Sequence, residues 1–170
     1  MGTYVDFWQV TGDALDFALS SLGIEDNALR QRLMDLYLRL DTFPEITDML
    51  TSLKDAGIKA AILSNGSPDM LAAAVDGAGL GALFDAVFSV DELGIYKPDP
   101  RVYQLAVDGL GVEAGRICFM SSNSWDANGA ANFGFKVVWC NRYGQRRERL
   151  PGEMAAEITN LAELPPLLGL

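Results

Sequence analysis

Lys59-Ala60-Ala61-Ile62-Leu63-Ser64-Asn65-Gly66-Ser67-Pro68 reads as a short apolar strand, a polar turn and the start of a helix. The run from Ala60 to Leu63 has no alternating polar positions, so it predicts a strand covered on both faces. Ser64-Asn65-Gly66 closes the strand, and Ser67-Pro68 supplies an N-cap followed by proline in the first helical turn. The same order recurs at Ile117-Cys118-Phe119-Met120, then Ser121-Ser122-Asn123-Ser124, then a helix through Ala127, Ala130 and Ala131. Val87-Phe88-Ser89-Val90 and Val137-Val138-Trp139-Cys140 are further strands, and Asp99-Pro100 caps a helix carrying Val102, Tyr103, Leu105, Ala106 and Leu110. Strands alternating with helices predict an α/β fold whose parallel sheet is covered on both faces. Ligands of such sheets bind beyond the carboxyl ends of the strands. Ser64-Asn65, Lys97, Ser121 to Asp126, and Asn141 all fall at such ends.

Upstream the texture is helical. Leu15, Ala18, Leu19 and Leu22 keep one apolar stripe, Leu29, Leu33, Leu36, Tyr37 and Leu40 another, and Gly23 breaks the two. Ile46, Met49, Leu50 and Leu53 mark a third helix that stops at Gly57. Asp6, Asp13 and Asp16 lie in this helical context and read as solvated. A length of 170 residues fits one domain with a helical subdomain attached.

Composition excludes several functions. The net charge is −10, and the arginines cluster only at Arg142, Arg146, Arg147 and Arg149, a run that reads as a solvated, mobile loop too short for a nucleic-acid footprint. No apolar run reaches the roughly 18 residues of a membrane span. Met1 to Asp6 lacks the basic and apolar regions of a secretory signal, so the expectation is a cytoplasmic protein. Cys118 and Cys140 sit inside apolar strands and read as free, buried thiols. The chain has no histidine, which excludes Ser-His-Asp and Cys-His catalysis and histidine metal sites.

Three clusters remain as candidate chemistry. Ser64-Asn65-Gly66-Ser67-Pro68 offers a hydroxyl, an amide and backbone N–H groups at a helix start, a seat for an anion, or else only a turn and a cap. Tyr96-Lys97-Pro98-Asp99-Pro100 aims a lysine from a proline-bounded loop, where it can hold a nearby carboxylate ionised, or else lie on the surface. Tyr103 follows one turn into the next helix, to hydrogen-bond the lysine or to pack. Ser121-Ser122-Asn123-Ser124-Trp125-Asp126 is an unusually polar end to a strand, and its plain alternative is an elaborate helix cap with Asp126 on the helix dipole.

Taken together, "ILSNGSP" at Ile62 to Pro68, "YKPDPRVY" at Tyr96 to Tyr103 and "SSNSWDANGA" at Ser121 to Ala130 resemble the haloacid dehalogenase superfamily, and within it the L-2-haloacid dehalogenases. "YVDFWQVT" at Tyr4 to Thr11 is similar to part of that family's helical cap. The resemblance implies an α/β, Rossmannoid core at 44–170 and a partial helical cap at 1–43. It also implies that the first strand, which ends in an Asp-x-Tyr-Gly-Thr type motif and carries the nucleophile, is missing, as is a cap arginine for the substrate. In the family that strand lies between the equivalents of the Lys59 and Ile117 strands. Its burial is worth on the order of 9–18 kcal/mol, so the chain is expected to be weakly folded, to close its sheet abnormally or to borrow a strand.

The reaction implied is hydrolysis of short (S)-2-haloacids to (R)-2-hydroxyacids through an aspartyl ester. Ser64 and Asn65 would hold the substrate carboxylate, with Asn65 also facing the halide. Lys97 would pair with the nucleophile, Tyr103 and Ser121 would orient the lysine and the carboxylates, and Asn123 with Asp126 would place and deprotonate water. Phe7 and Trp125 would wall a dry pocket around the halogen. The superfamily's phosphatases use Gly-Asp-x-x-x-Asp to bind Mg²⁺. Ser122 stands where the first of those carboxylates belongs, so no metal and no cofactor is expected. The implied partners are a 2-haloalkanoic acid and a halide, with no nucleic acid and no membrane, and apolar cap stripes are compatible with a homodimer. Lacking the nucleophile, the isolated chain is expected to be inactive; the alternatives are a non-catalytic fragment or pseudoenzyme and a phosphatase-like hydrolase.

Overall fold

The computed structural model describes residues 3–170; Met1 and Gly2, part of the 1–43 segment, lie outside the described residues. Two helices come first, α1 (Phe7–Ser21) and α2 (Asn27–Leu36), packed on each other. Asp6 and Asp26 start them by accepting from the backbone N–H of Gln9 and Leu29, both at 2.8 Å. Such bonds satisfy donors that a helix start leaves without a partner. Of the three early aspartates expected to be solvated, Asp6 is thus an N-cap and Asp16 binds Arg30, with Nη2 to Oδ2 at 2.8 Å.

The remainder alternates strand and helix: α3 (Ile46–Asp55), β1 (Ala61–Ser64), α4 (Pro68–Gly77), β2 (Ala86–Ser89), α5 (Pro100–Leu110), β3 (Cys118–Ser121), α6 (Ser124–Phe133), β4 (Lys136–Cys140), β5 (Ala156–Ile158) and α7 (Leu164–Leu167). All strand pairs are parallel, but they form two ladders, β1–β2 and β3–β4–β5, where the sequence pattern predicts one sheet. Among the described residues no ladder joins β1 to β3. Ser67 occupies the N-cap of α4 with an extended backbone, although its hydroxyl makes no capping bond.

Strand β4 shows why helices cover both faces. Successive side chains on a strand point to opposite sides. Val137 and Trp139 enter one core with Tyr103, Ala106, Ala127 and Ala130 from α5 and α6, while Val138 and Cys140 enter another with Met49, Leu50 and Leu53 from α3. Cys118 and Cys140 are free. No helix among the described residues is long and apolar enough to cross a membrane.

The segment after β4 departs from a solvated loop at its first arginine. The Arg142 guanidinium lies 3.8 Å from the Phe43 ring centroid and pairs with Glu45, both charged side chains being nearly buried. This ties the loop to the junction between α2 and α3. Arg147 remains exposed, pairing with Glu157 at 3.2 Å.

Candidate active site

Lys97 joins the two ladders. Its backbone N–H donates to Asn65 Oδ1 at 3.1 Å, just beyond β1, and its Nζ lies 3.1 Å from Asp126 Oδ2, in the first turn beyond β3. The Lys97 and Asp126 side chains are each 7% exposed. Burial drives the lysine pKa below its ordinary value, and the Asp126 carboxylate opposes that shift. The ammonium also lies 5.1 Å from the Phe119 ring centroid, where the ring's face attracts a cation.

Asp126 takes a second bond. The Tyr103 hydroxyl donates to its Oδ1 at 3.0 Å, and Tyr103 itself is fully buried in a cage of Phe119, Phe133 and Phe135. Burial first, and the Asp126 charge second, raise the tyrosine pKa, so the hydroxyl remains a donor. Tyr103 therefore bonds the carboxylate and not the lysine. Each Asp126 oxygen receives one strong donor and keeps a lone pair for a further proton.

The other expected residues are placed less tightly. The Ser64 hydroxyl oxygen accepts from the Gly66 N–H at 3.0 Å, and Ser121 does the same for Asn123 at 3.2 Å, so both close turns at strand ends. Ser121 makes no bond to Lys97 or Asp126 among the described residues. Asn123 is the N-cap of α6, yet its side chain makes no capping bond and is left for other work. Phe7 opens α1 with its ring edge-on to Tyr96 at 6.3 Å, next to Lys97 in sequence. The Tyr96 hydroxyl donates to the Val5 carbonyl at 2.7 Å, which holds this segment against the lysine loop. Trp125 is 38% exposed and makes no ring contact with Phe7 among the described residues.

Phe119 went unseen in the sequence because an aromatic on a strand reads as core, and nothing local marks the cation above it. Trp139 also serves the site, its indole Nε1 donating to the Ser122 carbonyl at 3.2 Å inside the polar loop. A groove of about 660 Å³ between α4 and β2 contains none of the expected side chains. Among the described residues no three Cys, Asp or Glu side chains cluster as metal ligands.

Residues 7–134 match the family of haloacid dehalogenase-like hydrolases. The chain is 47% identical over 169 residues to (S)-2-haloacid dehalogenase 1 of Pseudomonas sp. (strain CBS-3), covering 99% of this chain and 74% of that protein. It is 48% identical over 162 residues to the (S)-2-haloacid dehalogenase of Pseudomonas sp. (strain YL), covering 95% and 70%. Among solved structures, the L-2-haloacid dehalogenase of Xanthobacter autotrophicus with chloropropionic acid covalently bound superposes with a TM-score of 0.90 at 37% identity, over 98% of this chain and 77% of that one. A phosphatase of the same fold from Thermococcus onnurineus, 24% identical with a TM-score of 0.70, shares the architecture. With this likeness running through both the helical pair and the α/β part, the chain belongs to the haloacid dehalogenase-like hydrolases, in their (S)-2-haloacid dehalogenase branch.

Proposed function

We propose that this hydrolase converts short (S)-2-haloacids to (R)-2-hydroxyacids through an aspartyl ester, and that it does so in the cytoplasm. The observation that carries the reading is the Lys97 bridge, which gathers an amide, a cation and a carboxylate from two ladders into one buried place. The Asn65 Nδ2 hydrogens, unpartnered among the described residues, and the Ser64 hydroxyl supply donors for the substrate carboxylate at the start of α4. An attacking carboxylate forms a bond to C2 as the halide leaves with the bonding electrons. Lys97 stabilises that carboxylate, and Phe7 with Trp125 shields the halogen. Water held by Asn123 then adds to the ester carbonyl while Asp126 takes its proton, which releases the hydroxyacid and regenerates the carboxylate. Because the carbon centre is attacked once and the ester opens at its acyl carbon, C2 is inverted.

Among the described residues Asp126 is the carboxylate that pairs with Lys97, and each of its oxygens accepts one bond, from the lysine or from Tyr103, and keeps a lone pair for water's proton. The attacking group is a second aspartate, of the family's Asp-x-Tyr-Gly-Thr type. The test measures chloride release and product configuration from (S)-2-chloropropionate, using the 170-residue chain and a form that also carries that motif. Turnover with inversion by the second form alone is expected. Turnover by the first would overturn the assignment of the attacking group, and Mg²⁺-dependent phosphatase activity without chloride release would overturn the whole reading.

The helical pair, residues 1–43, is proposed as the partial cap. Phe17 at 77% exposure and Leu22 at 74% support its use as the face of a homodimer, which sizing of Phe17→Glu against the parent protein would check.

A further inference from the structure

Gly129 lies on α6 one turn beyond Asp126, at the contact between three segments of the site. A Cβ at this position would fall 2.6 Å from the Tyr103 hydroxyl oxygen and 2.8 Å from Pro98 Cβ. Both separations are well inside the roughly 3.5–4.0 Å at which carbon makes its best contacts. Tyr103 has no room to retreat, whereas Pro98 is exposed and can yield only by carrying the lysine loop with it. Tyr103 is fully buried and enclosed by Phe119, Phe133 and Phe135, and Pro98 follows Lys97 directly in the chain. Any side chain at 129 would therefore drive α6 away from α5 and from the lysine loop. Those are the movements that lengthen Tyr103 to Asp126 and Lys97 to Asp126, now 3.0 and 3.1 Å.

We propose that Gly129 is a positioning residue for the dehalogenation reaction. Its missing Cβ sets the approach of α6 that lays Asp126 onto both Lys97 and Tyr103. The role in turnover rests on the function proposed above, whereas the geometric role does not. Gly109 offers an internal control, because a Cβ there would meet the half-buried Phe88 ring at 2.3 Å, a worse clash at a ring that bonds none of Lys97, Tyr103 and Asp126.

The experiment follows reductive methylation by ¹³C-formaldehyde at each of the lysines Lys54, Lys59, Lys97 and Lys136, in the parent protein, Gly129→Ala, Gly109→Ala, Tyr103→Phe and the Tyr103→Phe/Gly129→Ala double variant. Lys54, Lys59 and Lys136 belong to exposed residues, whereas the Lys97 side chain is 7% exposed and paired. In the parent Lys97 is expected to react about tenfold more slowly than the other three, because a buried, paired amine is screened from reagent. Gly129→Ala is expected to raise the Lys97 rate severalfold and, in the form that carries the attacking aspartate, to lower kcat on (S)-2-chloropropionate about tenfold with KM nearly unchanged, since Ser64 and Asn65 stand on the other ladder. Gly109→Ala is expected to lower the melting temperature and leave the Lys97 rate alone. Removing the Tyr103 hydroxyl relieves the closest contact, so alanine at 129 should disturb Lys97 less in the phenylalanine background. Unchanged Lys97 labelling in Gly129→Ala, equal labelling in the two glycine variants, or the same cost of alanine in both backgrounds would overturn the proposal. The expected labelling shifts with no dehalogenation by the form that carries the attacking aspartate would instead count against the function.

Discussion

Lys97 Nζ and Asp126 Oδ2 stand 3.1 Å apart with each side chain 7% exposed, so the two charges meet in a largely dry place. A buried pair of this kind contributes little net stability, yet losing one member strands the other. Lys97→Met is expected to destabilise the protein by about 3–5 kcal/mol, because Asp126 keeps its burial and loses its cation. Adding Asp126→Asn should restore most of that loss, since asparagine is neutral and still offers Tyr103 an acceptor. Denaturant unfolding reads the stability and chloride release reads the chemistry. Recovery of stability without recovery of turnover is the expected signature of a pair retained for reaction.

Tyr103→Phe tests the second donor. The change leaves Asp126 Oδ1 short of a buried hydrogen bond, a loss of about 1–3 kcal/mol. The sign of the pH dependence follows from the raised tyrosine pKa. Tyr103 holds its proton more firmly in the folded protein, so its contribution is complete below the ordinary value of 10.0 and is lost as pH rises past it. Lys97 runs the other way: its folded pKa lies below 10.5, the unfolded chain binds the proton better in between, and stability rises with pH across that window. Unfolding curves from pH 8 upward should show a shallower alkaline decline in Tyr103→Phe and no lysine-dependent rise in Lys97→Met.

Much of this arrangement was legible from short patterns. The apolar runs Lys59 to Leu63 and Ile117 to Met120 mark strands β1 and β3 to within about two residues, because continuous apolar runs ending in small polar residues have few other uses. Strand β5 was missed: it is three residues long and has Glu157 in the middle, which matches neither a buried run nor a clear alternation. The two ladders part between β1 and β3, the place where the resemblance sets a further strand. Arg142 read as solvated since a run of arginines looks alike whichever member turns inward; Phe43 and Glu45, far away in sequence, are what draw it in. Lys97 and Asp126 could be singled out by their settings, proline-bounded and strand-terminal. Gly129 and Phe119 could not, because one acts by lacking an atom and the other by lying beneath a side chain from a distant loop.

Trp139 links the core to the site and lets the two contributions be separated. It is fully buried, and its Nε1 donates to the Ser122 carbonyl at 3.2 Å. Trp139→Ala should cost about 3–5 kcal/mol through the cavity it opens. Trp139→Phe keeps much of the packing and removes only the bond to the loop. Its expected effect is about 1–2 kcal/mol of stability together with a fall in kcat, because Asn123 and Asp126 follow Ser122 directly. Thermal melts and steady-state rates, both on the form that carries the attacking aspartate, distinguish a lost hydrogen bond from a collapsed core.

Asp126→Asn separates the two halves of the reaction. The substitution keeps an acceptor near Tyr103 and leaves Asn65, Ser64 and Lys97 in place, so substrate binding and attack on C2 should survive in the form that carries the attacking aspartate. What it removes is the group proposed to take a proton from water at the ester. Chloride should therefore appear as a burst of about one equivalent per protein and then stop, with the aspartyl ester retained on the chain. Rapid-quench chloride measurement and intact-protein mass spectrometry give the two readouts. Steady turnover at the parental rate would remove Asp126 from the hydrolytic step, and the absence of any burst would place it in the attack itself, where its 3.1 Å contact with Lys97 would then have to be read as nucleophile and counter-ion.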